Sequence, residues 1–239
     1  MDDSELFAAA QRLPSARRPL LGLTILVIED SRYACEALRL LCLRSGARIR
    51  RADCLKSARR HLQVYRPSVV IADVGLPDGS GLDLIKEMDA AHPRVRIILA
   101  ISGDENVEEQ AIAAGADGFL AKPITSLAAF QEAILSRLPD DRQPSGPRQL
   151  TDETIEPDPI AFLDDMAHAA DVLNDTQEDK TLDYLAQFVG GVARSAGDGP
   201  LAKAAENLAR SRSEGRPVAS DAAVIAGLVQ ERLERKIAI

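Results

Sequence analysis

Residues 69–77 read Val-Val-Ile-Ala-Asp-Val-Gly-Leu-Pro. Four apolar residues lead directly into Asp73, and the chain is then broken by Gly75 and Pro77. A short apolar run that ends in turn residues is typical of a strand buried on both faces, as in the middle of a parallel sheet. We therefore predict a strand over residues 69–73. Its carboxyl end, where open α/β sheets bind their ligands, is occupied by Asp73. Taken alone, this carboxylate fits a nucleophile, a metal ligand or a structural acid.

Strand and helix signals alternate on both sides of this stretch. Further strands are predicted at residues 24–28, 48–51, 97–101 and 118–121, each next to turn residues. Helices are predicted between them and after the last strand, at residues 32–45, 55–65, 82–91, 105–114 and 126–138. Five strands that alternate with five helices predict the α/β class, with a doubly wound parallel sheet.

Charged and hydroxyl residues follow the carboxyl ends of these strands. They are Glu29, Asp30, Asp73, Ser102 and Lys122. Three carboxylates that converge on one crevice repel each other when ionised, and a Mg²⁺ ion with oxygen ligands relieves that repulsion. A lysine and a hydroxyl beside them suit a phosphoryl group held on a carboxylate oxygen. The sequence has neither a Ser–His pairing near these ends nor a GxxxxGK[ST] loop, so the pattern favours an aspartyl phosphate.

The same residues give the sequence a family resemblance. Residues 22–139 resemble the receiver domain of two-component response regulators, through the acid pair 29–30, the segment 73–81, Ser102 and the segment 115–123. The resemblance implies a flavodoxin-like fold with strand order 2-1-3-4-5. It also implies that Asp73 accepts a phosphoryl group from a sensor histidine kinase or a histidine phosphotransfer protein.

The resemblance further assigns roles to the metal ligands. Asp30 and Asp73 are expected to bind Mg²⁺, together with the backbone carbonyl of Gly75, while Glu29 is expected to hold the ion mainly through water. The glycine also leaves no side chain, two residues after the acceptor, to orient or block an attacking water.

The remaining site residues are assigned in the same way. Lys122 is expected to pair with the phosphoryl oxygens. Ser102 is similar to the switch hydroxyl, and Phe119 is similar to the aromatic residue that changes rotamer with it. No enzymatic activity is expected beyond Mg²⁺-dependent self-phosphorylation and autodephosphorylation. Lys122 stands 20 positions after Ser102, two fewer than the common spacing that the resemblance implies, which predicts a shortened fourth helix or loop.

The rest of the chain divides into three segments. Residues 1–21 are predicted to be an N-terminal extension, and the proline-rich residues 140–158 a semi-extended, solvated linker. Apolar residues at helical spacing in residues 159–239 predict a four-helix, all-α output domain. Its long apolar stripes favour burial against a second copy, and hence a homodimer or a partner-binding domain that contacts a downstream protein.

Charge distribution argues against a nucleic-acid partner. Residues 1–139 carry no net charge, whereas residues 140–239 hold 11 Lys+Arg and 19 Asp+Glu, a net charge of −8. This acidic half is a poor surface for DNA. An acidic N-terminus and the lack of any apolar run of about 18 residues favour a cytoplasmic protein without a membrane segment. The three cysteines have no CxxC spacing, so buried free thiols are expected.

Two alternatives remain open for the whole chain. His168 lies on a predicted helix, as the acceptor of a histidine phosphotransfer domain does, so the chain could be a phosphorelay intermediate. However, Asp171 and Val172 stand where such domains place lysine and glycine, and the sequence favours an ordinary helix-face histidine. The second alternative is a DNA-binding transcriptional regulator.

Overall fold

A five-stranded parallel sheet forms the centre of the N-terminal half. The computed structural model describes residues 14–144, 152–174 and 179–235. The sheet strands are β1 Thr24–Ile28, β2 Arg48–Ala52, β3 Val69–Asp73, β6 Ile97–Ser102 and β7 Gly118–Ala121, in the order β2-β1-β3-β6-β7. A short antiparallel hairpin follows the central strand, and its two strands, β4 Gly75–Leu76 and β5 Gly79–Ser80, have two residues each. The predicted doubly wound sheet is therefore confirmed, and its strand order is 2-1-3-4-5 when the hairpin is not counted.

Five helices cover the two faces of the sheet. They are α1 Arg32–Ser45, α2 Leu55–Val64, α3 Gly81–Ala90, α4 Glu108–Ala113 and α5 Leu127–Leu135. Local sequence fixes several of their ends. Ser31 accepts a hydrogen bond from the N–H of Ala34 at the start of α1, and Gly46 ends that helix with a φ of 82°. The six residues of α4, preceded by a short 3-10 turn, account for the reduced spacing between Ser102 and Lys122.

Two aliphatic layers sandwich the sheet. All five residues of β3 are buried, as predicted for a central parallel strand. Alternate strand residues point into a layer under α1 and α5 and into a layer under α2, α3 and α4. Cys35 and Cys42 lie in the first layer, and burial raises the pKa of each thiol to about 12. Both are free, as expected from their spacing.

The C-terminal half is an all-α bundle, here called the helical module. It consists of α6 Pro159–Asn174, α7 Asp179–Ser195, α8 Gly199–Ser213 and α9 Ala219–Arg235, around a third apolar core. Helix α7 continues through Gly190 and packs closely on α8, where a Cβ on this glycine would stand 3.4 Å from Cβ of Ala205. Asp198 accepts a hydrogen bond from the N–H of Leu201 at the start of α8 and pairs with Arg232 of α9 at 2.7 Å.

The two segments that were predicted to lie outside the receiver contribute to its core. Leu20, placed by sequence in the N-terminal extension, is fully buried under α1 and α5. Ile155, placed in a solvated linker, is buried in the same layer, and its N–H donates to the carbonyl of Thr125. Full burial of a leucine or isoleucine side chain contributes about 1.5–3 kcal/mol, which favours packing of both segments on this layer. Within these two segments, residues 1–13 and 145–151 lie outside the described residues.

The apolar stripes of the helical module are buried within the chain. Leu185, Val189 and Val192 of α7 pack into the core of the module, and the same helix contacts the receiver at the β4–β5 hairpin. The apolar stripes that suggested a homodimer are buried within one chain and no longer support it. Homodimerisation stays a prediction. Among the described residues, no helix combines the length and the apolar character needed to span a bilayer.

Candidate functional site

Three carboxylates meet at the carboxyl edge of the sheet. Glu29 and Asp30 follow β1, and Asp73 is the last residue of the neighbouring strand β3. One oxygen from each of these side chains lies within 4.8 Å of the other two. Adjacent parallel strands end side by side, so the sequence order of strand, acid and turn is sufficient to produce this cluster.

Lys122 joins two of the carboxylates. Its Nζ lies 2.8 Å from Oδ2 of Asp73 and 2.5 Å from Oε2 of Glu29, and its side chain is 6% exposed. Burial opposes the charge of this ammonium, but the two carboxylates outweigh burial and raise the pKa of Lys122 above its ordinary value. Glu29, Asp73 and Lys122 therefore form a buried, charged triad at the edge of the sheet.

Burial dominates the protonation behaviour of the acids. It raises the pKa of Glu29 to about 7 although Lys122 acts in the opposite direction. It also raises the pKa of Asp30 and of Asp73 to about 6. Three crowded carboxylates with raised pKa values favour a hard cation, and carboxylate oxygens are the ligands that Mg²⁺ prefers. The donor set therefore fits Mg²⁺.

The other predicted site residues lie around this triad. Ser102 is the last residue of β6 and is buried, and its Oγ accepts a hydrogen bond from the N–H of Asp104. Phe119 is half-buried on β7 against the layer under α2, α3 and α4. The N–H of Gly75 donates to Oδ1 of Asp73 at 3.3 Å. The structure thus brings Ser102 and Gly75 to the same edge, and the switch and ligand roles of these residues stay predictions.

The helical module covers this edge of the sheet, which the sequence did not predict. Asp165 of α6, 1% exposed, reaches the start of α1. Its Oδ1 accepts from the N–H of Arg32 at 2.7 Å, and its Oδ2 accepts from Oγ of Ser31 at 2.7 Å and from the N–H of Tyr33 at 3.0 Å. Burial raises the pKa of Asp165, against the effect of these hydrogen bonds. A carboxylate from one half of the chain thus caps a helix of the other half.

A second polar contact reaches the candidate metal ligands. The hydroxyl of Tyr184 in α7 donates to Oδ2 of Asp30 at 2.7 Å. Burial and then this carboxylate raise the pKa of Tyr184, so the hydroxyl stays protonated and acts as the donor. Nε2 of His168 lies 3.2 Å from the same hydroxyl, and the imidazole packs edge-on against Phe188.

His168 therefore stands on the side of its helix that faces the candidate site, and it is not directed away from the receiver. It is exposed, and its hydrogen-bond contact to the receiver runs through Tyr184. The prediction that it is an ordinary helix-face histidine, and the alternative that it carries phosphate, both stay predictions.

Two further side chains of α7 approach the receiver beside the acceptor. Gln187 lies against Gly75, where an added Cβ would stand 1.9 Å from its Nε2. Arg194 lies over Gly103, where an added Cβ would stand 2.6 Å from its Nη2. In both places the near atom is the far end of a flexible side chain of α7, so a Cβ on the receiver side would make that side chain shift. The sequence analysis noted that Gly75 lacks a side chain beside the acceptor, but helical periodicity does not show which element approaches this glycine.

Comparison with known proteins agrees with this geometry. Residues 25–134 match the model of the response regulator receiver domain family. The chain is 28% identical over 134 residues to KdpE, the KDP operon transcriptional regulatory protein of Escherichia coli K12, covering 55% of this chain and 60% of that protein. It is 30% identical over 118 residues to PhoP, the virulence transcriptional regulatory protein of Shigella flexneri, covering 47% of this chain and 52% of that protein.

The chain is also similar to parts of solved structures. A putative response regulator from Chloroflexus aurantiacus is 28% identical, with a TM-score of 0.44 over 48% of this chain and 98% of that one. The receiver domain of NtrX from Brucella abortus is also 28% identical, with a TM-score of 0.42 over 45% of this chain and 94% of that one. The chain spans 60% of KdpE and about half of PhoP. The match to the receiver domain family is confined to residues 25–134, and the helical module lies outside the matched segment.

Proposed function

We propose that this chain is a response regulator that accepts a phosphoryl group on Asp73 and transmits the change through protein contacts of its helical module. The observation that carries the proposal is the position of Asp73, which is buried, lies 2.8 Å from Nζ of Lys122 and shares its pocket with Glu29 and Asp30. A carboxylate so placed is a nucleophile toward a phosphorus atom, and Lys122 balances the charge of the transferred group.

Mg²⁺ is the proposed cofactor, since the three carboxylates fit a hard divalent cation. Asp30 and Asp73 would hold it, with Glu29 beside them, and the ion would neutralise charge on the phosphoryl oxygens. Within the chain, Asp73 supplies the attacking oxygen and Lys122 keeps the acceptor and the incoming group oriented. We assign the chain no other enzymatic activity.

The partner that delivers phosphate is proposed to be a sensor histidine kinase or a histidine phosphotransfer protein, which fits a cytoplasmic location. The output partner is proposed to be another protein. A DNA target is the second candidate, because KdpE and PhoP are named transcriptional regulators. The net charge of −8 in residues 140–239 opposes it. Binding to random duplex that weakens steeply with salt would favour the DNA target.

Phosphorylation with a small donor tests the central claim. The full chain is incubated with acetyl phosphate, with and without Mg²⁺, and the added mass is measured on intact protein and then on peptides. Wild type is expected to gain one phosphoryl group on Asp73 only when Mg²⁺ is present. Asp73→Asn is expected to gain none while keeping the circular dichroism spectrum of wild type.

Asp53→Asn is the matched control for this experiment. Asp53 is an exposed acid that lines the same side of the cleft as Glu29 and Asp30. It is expected to be phosphorylated as fast as wild type. Equal labelling of Asp73→Asn and wild type contradicts the proposal.

A further inference from the structure

A small cavity lies between the acceptor and helix α7. It measures about 40 Å³ and is lined from the receiver by Asp73, Ser102 and Lys122, and from the module by Gln187 and Arg194. Space of this size admits water, for which about 10–15 Å³ is sufficient. The pocket in which Asp73 would carry a phosphoryl group is therefore completed by side chains of the other half of the same chain.

Arg194 lines this cavity, and one N–H donor of its guanidinium has no hydrogen-bond partner among the described residues. Its guanidinium lies over Gly103, the residue after Ser102, at the end of β6. Its Nε is buried and has no hydrogen-bond partner among the residues that the structure describes. Buried donors without partners are costly, and Arg194 also lines the cavity, so an acceptor bound there would give this guanidinium hydrogen bonds that it now lacks.

The charges of the cavity show which acceptor fits. Among the described residues that line it, the cations are Lys122 and Arg194, and Lys122 is already paired with Asp73 and Glu29. A phosphoryl group brings roughly 1.5 to 2 negative charges near neutral pH, together with three strong acceptor oxygens. The planar fork of a guanidinium matches phosphoryl oxygens in charge and in geometry.

Gln187 closes the opposite wall. The amide fills the space beside Gly75 that a side chain two residues after the acceptor would otherwise take. It carries no charge, so among the residues of α7 that line the cavity the positive charge that complements a phosphoryl group comes from Arg194.

We propose that Arg194 binds the phosphoryl group carried by Asp73, so that phosphorylation tightens the contact between the helical module and the receiver. The inference rests on the proposed function, because it requires Asp73 to be the acceptor. The inference extends the proposed function by naming the residue of the module that contacts the phosphoryl group. It also gives the direction of the change, which is a tighter contact between the module and the receiver.

Hydrogen exchange of the full chain with and without a phosphoryl mimic tests the inference. Protection of the backbone amides of α7 is compared in protein alone and in protein with Mg²⁺ and beryllofluoride, and bound beryllofluoride is counted separately by fluorine NMR. Wild type is expected to bind the mimic and to gain about tenfold or more in protection, as a new charge-assisted hydrogen bond implies. Arg194→Gln is expected to lose that gain, and Arg194→Lys to keep only part of it.

The control is Arg210→Gln. Arg210 is an exposed arginine of α8 that bonds to Asn207 on its own helix, and its variant is expected to behave as wild type. The inference is overturned if wild type binds the mimic and the protection of α7 stays constant or falls. It is also overturned if Arg194→Gln gains as much protection as wild type. If fluorine NMR shows no bound mimic in wild type, the proposed function fails, and the inference fails with it.

Discussion

Replacing Asp165 with asparagine should loosen the helical module from the receiver. The carboxylate is buried and accepts three hydrogen bonds, from Oγ of Ser31 and from the N–H groups of Arg32 and Tyr33. Both of its oxygens face donors, so an amide nitrogen in either position points at a donor instead of accepting from it. Hydrogen bonds to a charged group contribute about 1.5–3 kcal/mol each, so we expect docking to weaken by about 1.5–3 kcal/mol.

The neighbouring acid provides a matched control. Asp164 pairs with Arg32 at 3.0 Å, but the two side chains are 44% and 67% exposed. Exposed ion pairs contribute less than about 1 kcal/mol, so Asp164→Asn should change little. The two substitutions alter adjacent residues of one helix in the same way and differ in burial.

Native-state hydrogen exchange measures the effect directly. The amides of Arg32 and Tyr33 are bonded to Asp165 in the docked state and should exchange roughly ten to a hundred times faster in Asp165→Asn, at about 1.4 kcal/mol per tenfold. Urea unfolding of the same proteins reports any loss of global stability. Equal exchange rates in the Asp164 and Asp165 variants would refute the reasoning that this interdomain cap holds the module.

Three further expectations concern other parts of the chain. Gly81→Ala should lower the free energy of unfolding in urea by about 1–3 kcal/mol, because its Cβ would stand 1.9 Å from the backbone oxygen of Asp73. Gly75→Ala should lower it by about 0.5 kcal/mol or less, because only the end of the Gln187 side chain must move. Asp198→Asn should lower the free energy of unfolding by about 1–2 kcal/mol at neutral pH. The hydrogen bond to Arg232 lowers the pKa of Asp198 from its ordinary value of 3.8. The stabilisation is therefore fully present above pH 3.8 and is lost as the pH falls through the lower pKa of the folded state. In thermal unfolding, the variant should lack this pH dependence. Phosphoryl label on wild type should be lost in base and persist better in acid, as expected for an acyl phosphate on Asp73, and acid-labile, base-stable label would instead favour His168.

The parts of the fold that could be predicted from sequence are those set by local pattern. The β3 strand, its terminal Asp73 and the cap at Ser31 are specified by residues within a few positions of one another, and the sheet then brings distant strand ends together. For this reason the cluster of carboxylates with Lys122 could be anticipated from the order of strands alone.

The position of the helical module could not be predicted in this way. Because the hydrophobic effect is not directional, the apolar stripes of its helices could be buried equally well against a second copy or against the receiver. The specific contacts between the module and the receiver are made by single polar residues, namely Asp165, Tyr184 and Arg194. Single residues form no periodic pattern in the sequence. Ile155 was misplaced for the same reason, since one apolar residue in a proline-rich segment does not show where it is buried.

The covering of the acceptor by α7 leads to a last expectation, about the route of the phosphoryl group. A donor protein must bring a histidine to Asp73, whereas the cavity beside this residue measures only about 40 Å³. Transfer from a protein therefore requires the undocked state, and its rate scales with the undocked fraction. A small donor needs less opening. Weakening of the interdomain cap in Asp165→Asn should accordingly speed phosphorylation by a phosphorylated histidine phosphotransfer protein roughly tenfold or more, at about 1.4 kcal/mol per tenfold. The rate with acetyl phosphate should change much less, and rapid-quench time courses with the two donors separate these effects. An equal increase with both donors would show that the cap acts on the chemistry of Asp73 and not on access to it.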